Sequence, residues 1–390
     1  MRQALIVTAL AGFVRSFLTN DIRLLQERGY KVSCAANINH PGADGMEAYF
    51  EKLDVDFFQI DFSSNEPLSK ASLDSYRELK DVLGNKHFDL IHCHTPIAGA
   101  LCRIASRGLR NKGTKVIYTT HGFYFHKKSG VKAWLLYYPV EWFLSGLCDA
   151  IVTINQEDYQ VAKGMRCSRV YHINGVGVDT DKFWNVQVNR DVYRHKLGIG
   201  PDDVVVLSVG ELSRRKNQKV VVDALALINE PRLVLVHCGN AMNNANTKQE
   251  IVDAANCGHV RLIMLGLRND MPQICKCADV GTISSTREGL GLAGIEMLAS
   301  GLPLVASAVQ GILDYAKDGE NGFLADPLEP RSFARGIKKL LDPMVREGMR
   351  QTCHDSSLPF DSSVANAQMA QIYDDVLASR MDSKAKRCCR

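Results

Sequence analysis

Between Thr286 and Pro303 the chain reads TREGLGLAGIEMLASGLP, which sets Glu288 and Glu296 on either side of a Gly-Leu-Gly. The apolar spacing predicts a helix beginning near Leu290, directly after a strand that ends at Ser284 and Ser285. The amides of Leu290, Gly291 and Leu292 are then first-turn donors with no intrahelical partner, and Gly291 lets a ligand come close to the backbone. A helix start of this kind carries roughly half a positive charge and favours an anion, commonly phosphate. A carboxylate does not want the phosphate, but it accepts two hydrogen bonds from a vicinal diol such as a ribose. Phosphate on the amides, with Glu288 and Glu296 taking hydroxyls on either side of it, describes a sugar nucleotide. Gly289, Gly291 and Gly294 also fit the dinucleotide fingerprint, which asks for an acid about 20 residues on. The chain has VASAVQG there and no acid before Asp314, so a nicotinamide cofactor is set aside.

Other candidates also stand just after strands. Gly210 closes the run VVVLSV, and Arg214, Arg215 and Lys216 precede a helix that Asn217 is placed to cap. Clustered cations there would neutralise a diphosphate, with Lys216 the leading choice. Arg268, in LGLRNDMP, sits where a base could be held, with Asp270 and Pro272 opening the next helix. In the first half, IYTTHGFYF puts His121 at a strand end, where it could meet the transferred sugar or the attacking hydroxyl. His92 and His94 alternate in IHCHTP. Lacking a third ligand they are read as one buried and one facing the site, with His94 on the acceptor side. Gly12, after the first strand, leaves room for an acceptor. Asp179-Thr-Asp181 has the look of a D-x-D metal motif but falls at the domain junction, away from the phosphate loop.

These positions need strands to carry them. Apolar runs alternate with helical spacing along the chain: 4–10, 31–36, 55–60, 88–94, 115–122, 150–155 and 169–175, then 203–212, 232–239, 259–266, 279–285 and 302–308. Strands covered on both faces read as unbroken apolar runs. The expected fold is therefore α/β, with two doubly wound parallel sheets joined near 175–183 and facing across a cleft. In such sheets ligands bind beyond the carboxyl ends of strands. A helix over 361–380 and a fraying polar tail after it complete the outline.

At 390 residues the chain exceeds one ordinary core, and its composition, 46% hydrophobic and 23% charged, is that of a globular protein with no stretch of membrane-spanning length. The start, MRQALIVTALAGFVRSFL, is read as a first strand rather than a cleaved signal, because an amphipathic helix and a second strand follow. Twelve cysteines lack zinc or disulfide-framework spacing and suit a reducing compartment. The net charge of +4 is small, but no acid occurs between Asp89 and Glu141, where Arg103, Arg107, Arg110, Lys112, Lys115, Lys127, Lys128 and Lys132 stand. Aromatics interleave with the later ones in HGFYFHKKSGVKAWLLYYPVEWF. Two readings stay open: a surface for an anionic membrane leaflet or phosphorylated acceptor, or a solvated face over core aromatics. Nucleic acid is not expected, since the charge excess is local and no nucleic-acid motif is present.

Taken together the stretches resemble the retaining glycosyltransferases of family 4, of GT-B fold. Glu288 through Glu296 matches that family's E-x7-E motif, extended by MLASGLPLVAS and GILDYAKDGENGFLADP. IHCHTPIAGALCRIASR, KVIYTTHGFYFHK, WLLYYPVEWFL, DAIVTINQEDYQVAK and INGVGVDTDKF are similar to the bacterial branch that assembles capsule or exopolysaccharide repeat units. The resemblance implies two Rossmann-like domains. Residues 1–176, with 361–380 packing back, would bind the acceptor, and residues 177–360 the nucleotide-sugar donor. It implies that Glu288 contacts the donor sugar, Lys216 the diphosphate and Glu296 the ribose. Amides near Leu290 to Leu292 would take the distal phosphate, and His121 would approach the transferred sugar. Many relatives carry Arg after the strand-ending glycine, where this chain has Glu211, so Arg214 or Arg215 would substitute, with Arg215 preferred. No metal is expected, because basic side chains and a helix terminus stabilise the departing diphosphate. The implied activity moves a sugar, from UDP in the leading reading, to a polyprenyl-diphosphate-linked acceptor with retention, on the cytoplasmic face of the membrane. A nucleotide-sugar epimerase on the same fold, or a sugar-nucleotide sensor without turnover, are the alternatives.

Overall fold

The computed structural model describes residues 1–40, 42–62, 69–241 and 245–388. The chain divides into two units, Met1–Val176 with Ser363–Arg390, and Gly177–Ser362.

In the first unit the apolar runs become seven strands: β1 (Arg2–Leu10), β2 (Tyr30–Asn37), β3 (Asp56–Gln59), β4 (Leu90–His94), β5 (Lys115–Thr120), β6 (Ala150–Thr153) and β7 (Val170–His172). They lie in the order β3-β2-β1-β4-β5-β6-β7, every pairing parallel. The order reverses between β1 and β4. Connections therefore leave those two strands in opposite directions and open a crevice at their carboxyl ends, where Gly12 and His94 stand.

Leu5, Val7, Ile91, Cys93, Val116 and Tyr118 form the core on one face of this sheet. Side chains alternate along a strand, so His92 and His94 share the opposite face of β4. There the helix Ser362–Cys388 brings in Ile372, Tyr373 and Val376, all buried. Its seat is tied by Arg28, whose Nε and Nη2 reach the Asp374 carboxylate at 2.8 and 2.9 Å. This helix runs on to Cys388, so the polar segment expected to fray after residue 380 is helical as far as the described residues reach.

The second unit holds β8 (Val204–Val209), β9 (Leu233–Cys238), β10 (Arg261–Gly266), β11 (Val280–Ile283), β12 (Leu304–Ser307) and β13 (Gly322–Ala325). Their order is β10-β9-β8-β11-β12-β13, again all parallel, with the reversal between β8 and β11. Thr282 of β11 donates its hydroxyl to Leu207 O of β8 at 2.8 Å, locking the two strands at that point. The edge strand β13 is not among the apolar runs picked out in the sequence. It is four residues long and opens on Gly322, where a Cβ would lie 2.0 Å from Leu304 O.

Candidate active site

The second unit sews together the loops that leave β8 and β11. Ser284 donates to Lys216 O at 2.8 Å, and Thr286 N donates to Arg215 O at 2.9 Å. This places three donors on one carboxylate oxygen. Glu288 Oε2 accepts from Lys216 Nζ at 2.5 Å, Ser285 Oγ at 2.9 Å and Arg215 Nη1 at 3.2 Å. Burial alone would raise the Glu288 pKa, but Lys216, Arg215 and the hydrogen bonds outweigh it and hold the carboxyl below its ordinary value. Glu288 is thus an ionised, mostly buried acid with its second oxygen outside these contacts. Gly210, at the end of β8, faces the Lys216 stem, which a Cβ would touch at 3.5 Å.

Of the three candidate cations, Arg214 turns away and is 86% exposed beside Glu250. Asn217 does not cap the following helix: it sits in a left-handed conformation and donates Nδ2 to Pro327 O at 2.7 Å. Arg268 commits its fork to Asp270, at 2.8 and 2.6 Å. Tyr193 donates to the same carboxylate. Among the described residues no hydrogen bond or ion pair joins Arg268 to the Glu288 cluster.

The helix after β11 starts at Leu292, two residues later than its sequence suggests. The cause is Gly291, whose φ of +84° is left-handed, so the turn is not yet helical there. Leu290 is consequently a loop residue with a buried side chain. As the first two helical residues, Leu292 and Ala293 have amides with no earlier helical carbonyl to take them. A Cβ on Gly291 would lie 2.9 Å from Glu288 Cγ and 3.3 Å from the Tyr315 hydroxyl. That side of the glycine is filled by the protein's own groups rather than left open. Ser285 and Tyr315 thus shape the loop, and neither was picked out in the sequence. Ser285 carries one signal, its place at a strand end three residues before Glu288.

Glu296 lies one turn into this helix, half-buried. Its carboxylate takes no hydrogen bond from the described residues, and burial, only partly offset by Lys182, raises its pKa. A partly desolvated carboxylate with all its acceptor capacity unspent is ready for a ligand's hydroxyls.

In the first unit, β4 and β5 bring His94 and His121 together, with His94 Nδ1 and His121 Nε2 3.2 Å apart. His121 follows β5, is half-buried, and meets the edge of the Phe13 ring at 4.8 Å between centroids. Burial depresses its pKa to about 4, so the ring is neutral at pH 7. His92 and His94 are both buried, against the expectation that one of them faces outward, because a two-residue spacing keeps them on one face. At Gly12 a Cβ would meet Gly42 O at 2.8 Å, so this glycine admits a neighbouring stretch of the chain itself. Asp179 accepts from Lys182 N at 3.0 Å as a helix cap. Among the described residues no group of three or more His, Cys, Asp or Glu is placed to hold a metal ion.

The basic aromatic segment divides between its two readings. Arg103 is fully buried, 2.9 Å from Glu141 and 3.8 Å above the Tyr118 ring, and Arg110 pairs with Asp149. Phe123 and Phe125 are core residues. Lys127, Lys128 and Lys132, however, are exposed. Beside them the helix Val131–Ser145 turns Leu135, Leu136, Val140, Trp142 and Phe143 outward, with Leu135 73% exposed. No helix among the described residues is long and apolar enough to cross a membrane.

Known proteins are similar to this chain in sequence and in fold. Residues 189–352 match the family described as Glycosyl transferases group 1, and residues 16–182 that described as Glycosyltransferase Family 4. The chain is 35% identical over 378 residues to the putative glycosyltransferase EpsD of Bacillus subtilis (strain 168), covering 95% of this chain and 96% of the relative. It is 27% identical over 360 residues to the UDP-Gal:alpha-D-GlcNAc-diphosphoundecaprenol alpha-1,3-galactosyltransferase of Escherichia coli, covering 89% of each. In fold it is similar to Anabaena Alr3699/HepE, crystallised with UDP and glucose, at a TM-score of 0.78 and 20% identity over 96% of this chain and 100% of that one. Sucrose-phosphate synthase of Thermosynechococcus elongatus gives 0.79 and 19%, over 97% and 100%. With both halves matched and a relative this similar along nearly its whole length, the chain belongs to the group 1/family 4 glycosyltransferases, on a GT-B fold.

Proposed function

We propose that this glycosyltransferase takes a hexose from a nucleotide diphosphate, UDP in the first instance, and adds it with retention to a polyprenyl-diphosphate-linked saccharide. The setting is capsule or exopolysaccharide repeat-unit synthesis at the cytoplasmic face of the membrane. The observation that carries the reading is the Lys216–Arg215–Glu288 cluster where β8 and β11 part. Two cations there can neutralise a departing diphosphate without a metal, while Glu288 keeps an oxygen for the donor sugar. The amides of Leu292 and Ala293 are open to the distal phosphate, and Glu296 to a ribose diol. In the first unit, His121 is the residue assigned to the transferred sugar. A lipid-linked acceptor is favoured by the E. coli relative, whose name specifies a diphosphoundecaprenol substrate. A uridine nucleotide is favoured by that name and by the Anabaena protein crystallised with UDP-glucose. The lysines at 127, 128 and 132, beside an exposed apolar helix face, have the charge and greasiness to rest on an anionic leaflet.

The test is a thermal-shift series with UDP-, GDP- and ADP-sugars, followed by turnover with a polyprenyl-diphosphate saccharide. A uridine-specific shift together with a glycosylated lipid product is expected. Sugar epimerised with donor alone, or tight binding with no product on any lipid acceptor, would overturn the transferase assignment.

A further inference from the structure

The assignment of His121 to the transferred sugar leaves open which of its nitrogens carries the proton, and the residues beneath it bear on that. His94 is buried and neutral, since burial and the neighbouring His92 and His121 push its pKa well down. A neutral imidazole has one N–H and one bare nitrogen. His94 Nε2 is buried with no hydrogen-bond partner among the described residues, while Nδ1 lies 3.2 Å from His121 Nε2. An orphaned buried N–H is a rarity in native proteins, and an unmet acceptor is less so. The His94 proton therefore belongs on Nδ1, directed at His121.

The ring of His94 is itself held from below. His92 packs on it with ring centroids 4.1 Å apart. Both His92 nitrogens are engaged, Nδ1 with the Tyr373 hydroxyl at 2.8 Å and Nε2 with Thr119 Oγ1 at 2.7 Å. Tyr373, from the C-terminal helix, donates in turn to Asp21 Oδ1 at 2.7 Å. With its hydroxyl proton directed at Asp21, Tyr373 accepts from His92 Nδ1–H, and Thr119 donates to His92 Nε2. Every ring in the stack then has a set orientation.

The geometry points to His94 as a positioning residue that donates Nδ1–H to His121 Nε2 and so fixes His121 with its own proton on Nδ1. His121 then presents a permanent hydrogen-bond donor. Its one lone pair is already filled by His94, so it is not the general base that receives the acceptor's proton. This rests on the proposed function only for the role of His121 in transfer; the tautomer stands or falls by itself.

The experiment is long-range proton–nitrogen NMR on the full-length protein labelled with nitrogen-15 histidine, with His121 assigned by its absence from His121→Asn. In the unaltered protein His121 is expected to show a protonated Nδ1 and a bare Nε2. His94→Phe, which keeps the ring but not the donor, should move the proton to Nε2. It should also lower kcat, by up to about a hundredfold for a mispositioned group, with the donor KM unchanged. His94→Asn, whose amide can stand in for Nδ1–H, should recover part of both effects. A proton on His121 Nε2 in the unaltered protein, or a tautomer indifferent to His94→Phe, overturns the inference. Wild-type transfer by His121→Ala would instead remove His121 from the reaction and leave the tautomer result standing.

Discussion

Lys216 Nζ and Glu288 Oε2 lie 2.5 Å apart, the side chains 17% and 12% exposed, at the point where the second sheet reverses its strand order. Seventy-two residues separate them in the chain, yet β8 and β11 are hydrogen-bonded neighbours, so the pair is a direct product of topology. Arg215 adds a second cation at 3.2 Å. A diphosphate arriving here would share these cations with Glu288.

Replacing Glu288 by Gln keeps the shape and removes the charge. Transfer should fall on the order of 100- to 1000-fold, as when one well-placed electrostatic group is lost from an active site. Lys216→Met should do the same. In chemical denaturation, the double variant should be less destabilised than the two single losses added together, with a coupling of about 0.5–3 kcal/mol, because each single change strands the other charge. Strict additivity would mean the pair does not act as a pair.

Glu296 makes the opposite prediction for stability. With no hydrogen-bond partner among the described residues and burial raising its pKa, its charge is a cost to the ligand-free fold. Glu296→Gln should leave Tm unchanged or higher while weakening nucleotide-sugar binding by about tenfold or more, the loss of one charged hydrogen bond being worth about 1.5–3 kcal/mol. Calorimetry with the donor and a thermal melt without it read the two effects separately. A lower Tm with unaltered affinity would make Glu296 a structural residue.

Much of this was legible in one dimension. Parallel strands covered on both faces cannot alternate, so VVVLSV and LVLVHC announce themselves. Glu288, Lys216 and Arg215 could be found because ligands gather at strand ends. What was hidden depends on partners far along the chain. Arg103 looks like a surface cation until Glu141, on another helix, receives it in the core. The partner of His92 stays hidden until Tyr373 arrives from the C-terminal helix. The late helix start at Leu292 depends on the sign of one φ angle, at Gly291, which residue type permits but does not dictate.

The histidine stack should make the protein acid-sensitive. His92 and His121 have pKa values pushed down to about 3 and about 4, below the ordinary histidine value of 6.5, and burial with the neighbouring rings pushes His94 well down too. Their contribution is complete above pH 6.5. It is lost as pH falls toward the folded values, because the unfolded chain takes protons that the fold refuses, at about 1.4 kcal/mol per pH unit for each histidine. Asp21 opposes this: burial raises its pKa from 3.8 to about 6, so the native state gains stability as pH falls through 6. Three histidines outweigh one acid, and the urea midpoint should drop between pH 6.5 and 5. Asp21→Asn should steepen that drop. A midpoint flat over this range would mean the rings are protonated in the native state.

The exposed helix face predicts where the protein rests. Reversing the charge at Lys127, Lys128 and Lys132 together should strongly reduce sedimentation with anionic vesicles at low salt, since each lysine near a charged leaflet contributes about 1 kcal/mol. Whatever binding survives should be insensitive to salt, because it comes from apolar contact. Leu135→Ser with Phe143→Ser should show the reverse pattern, retaining a weak, salt-sensitive attachment. Both side chains already stand in water, at 73% and 55% exposure, so neither change removes core packing and Tm should hold. Binding unaltered in both variants would mean that this face is not what meets the membrane.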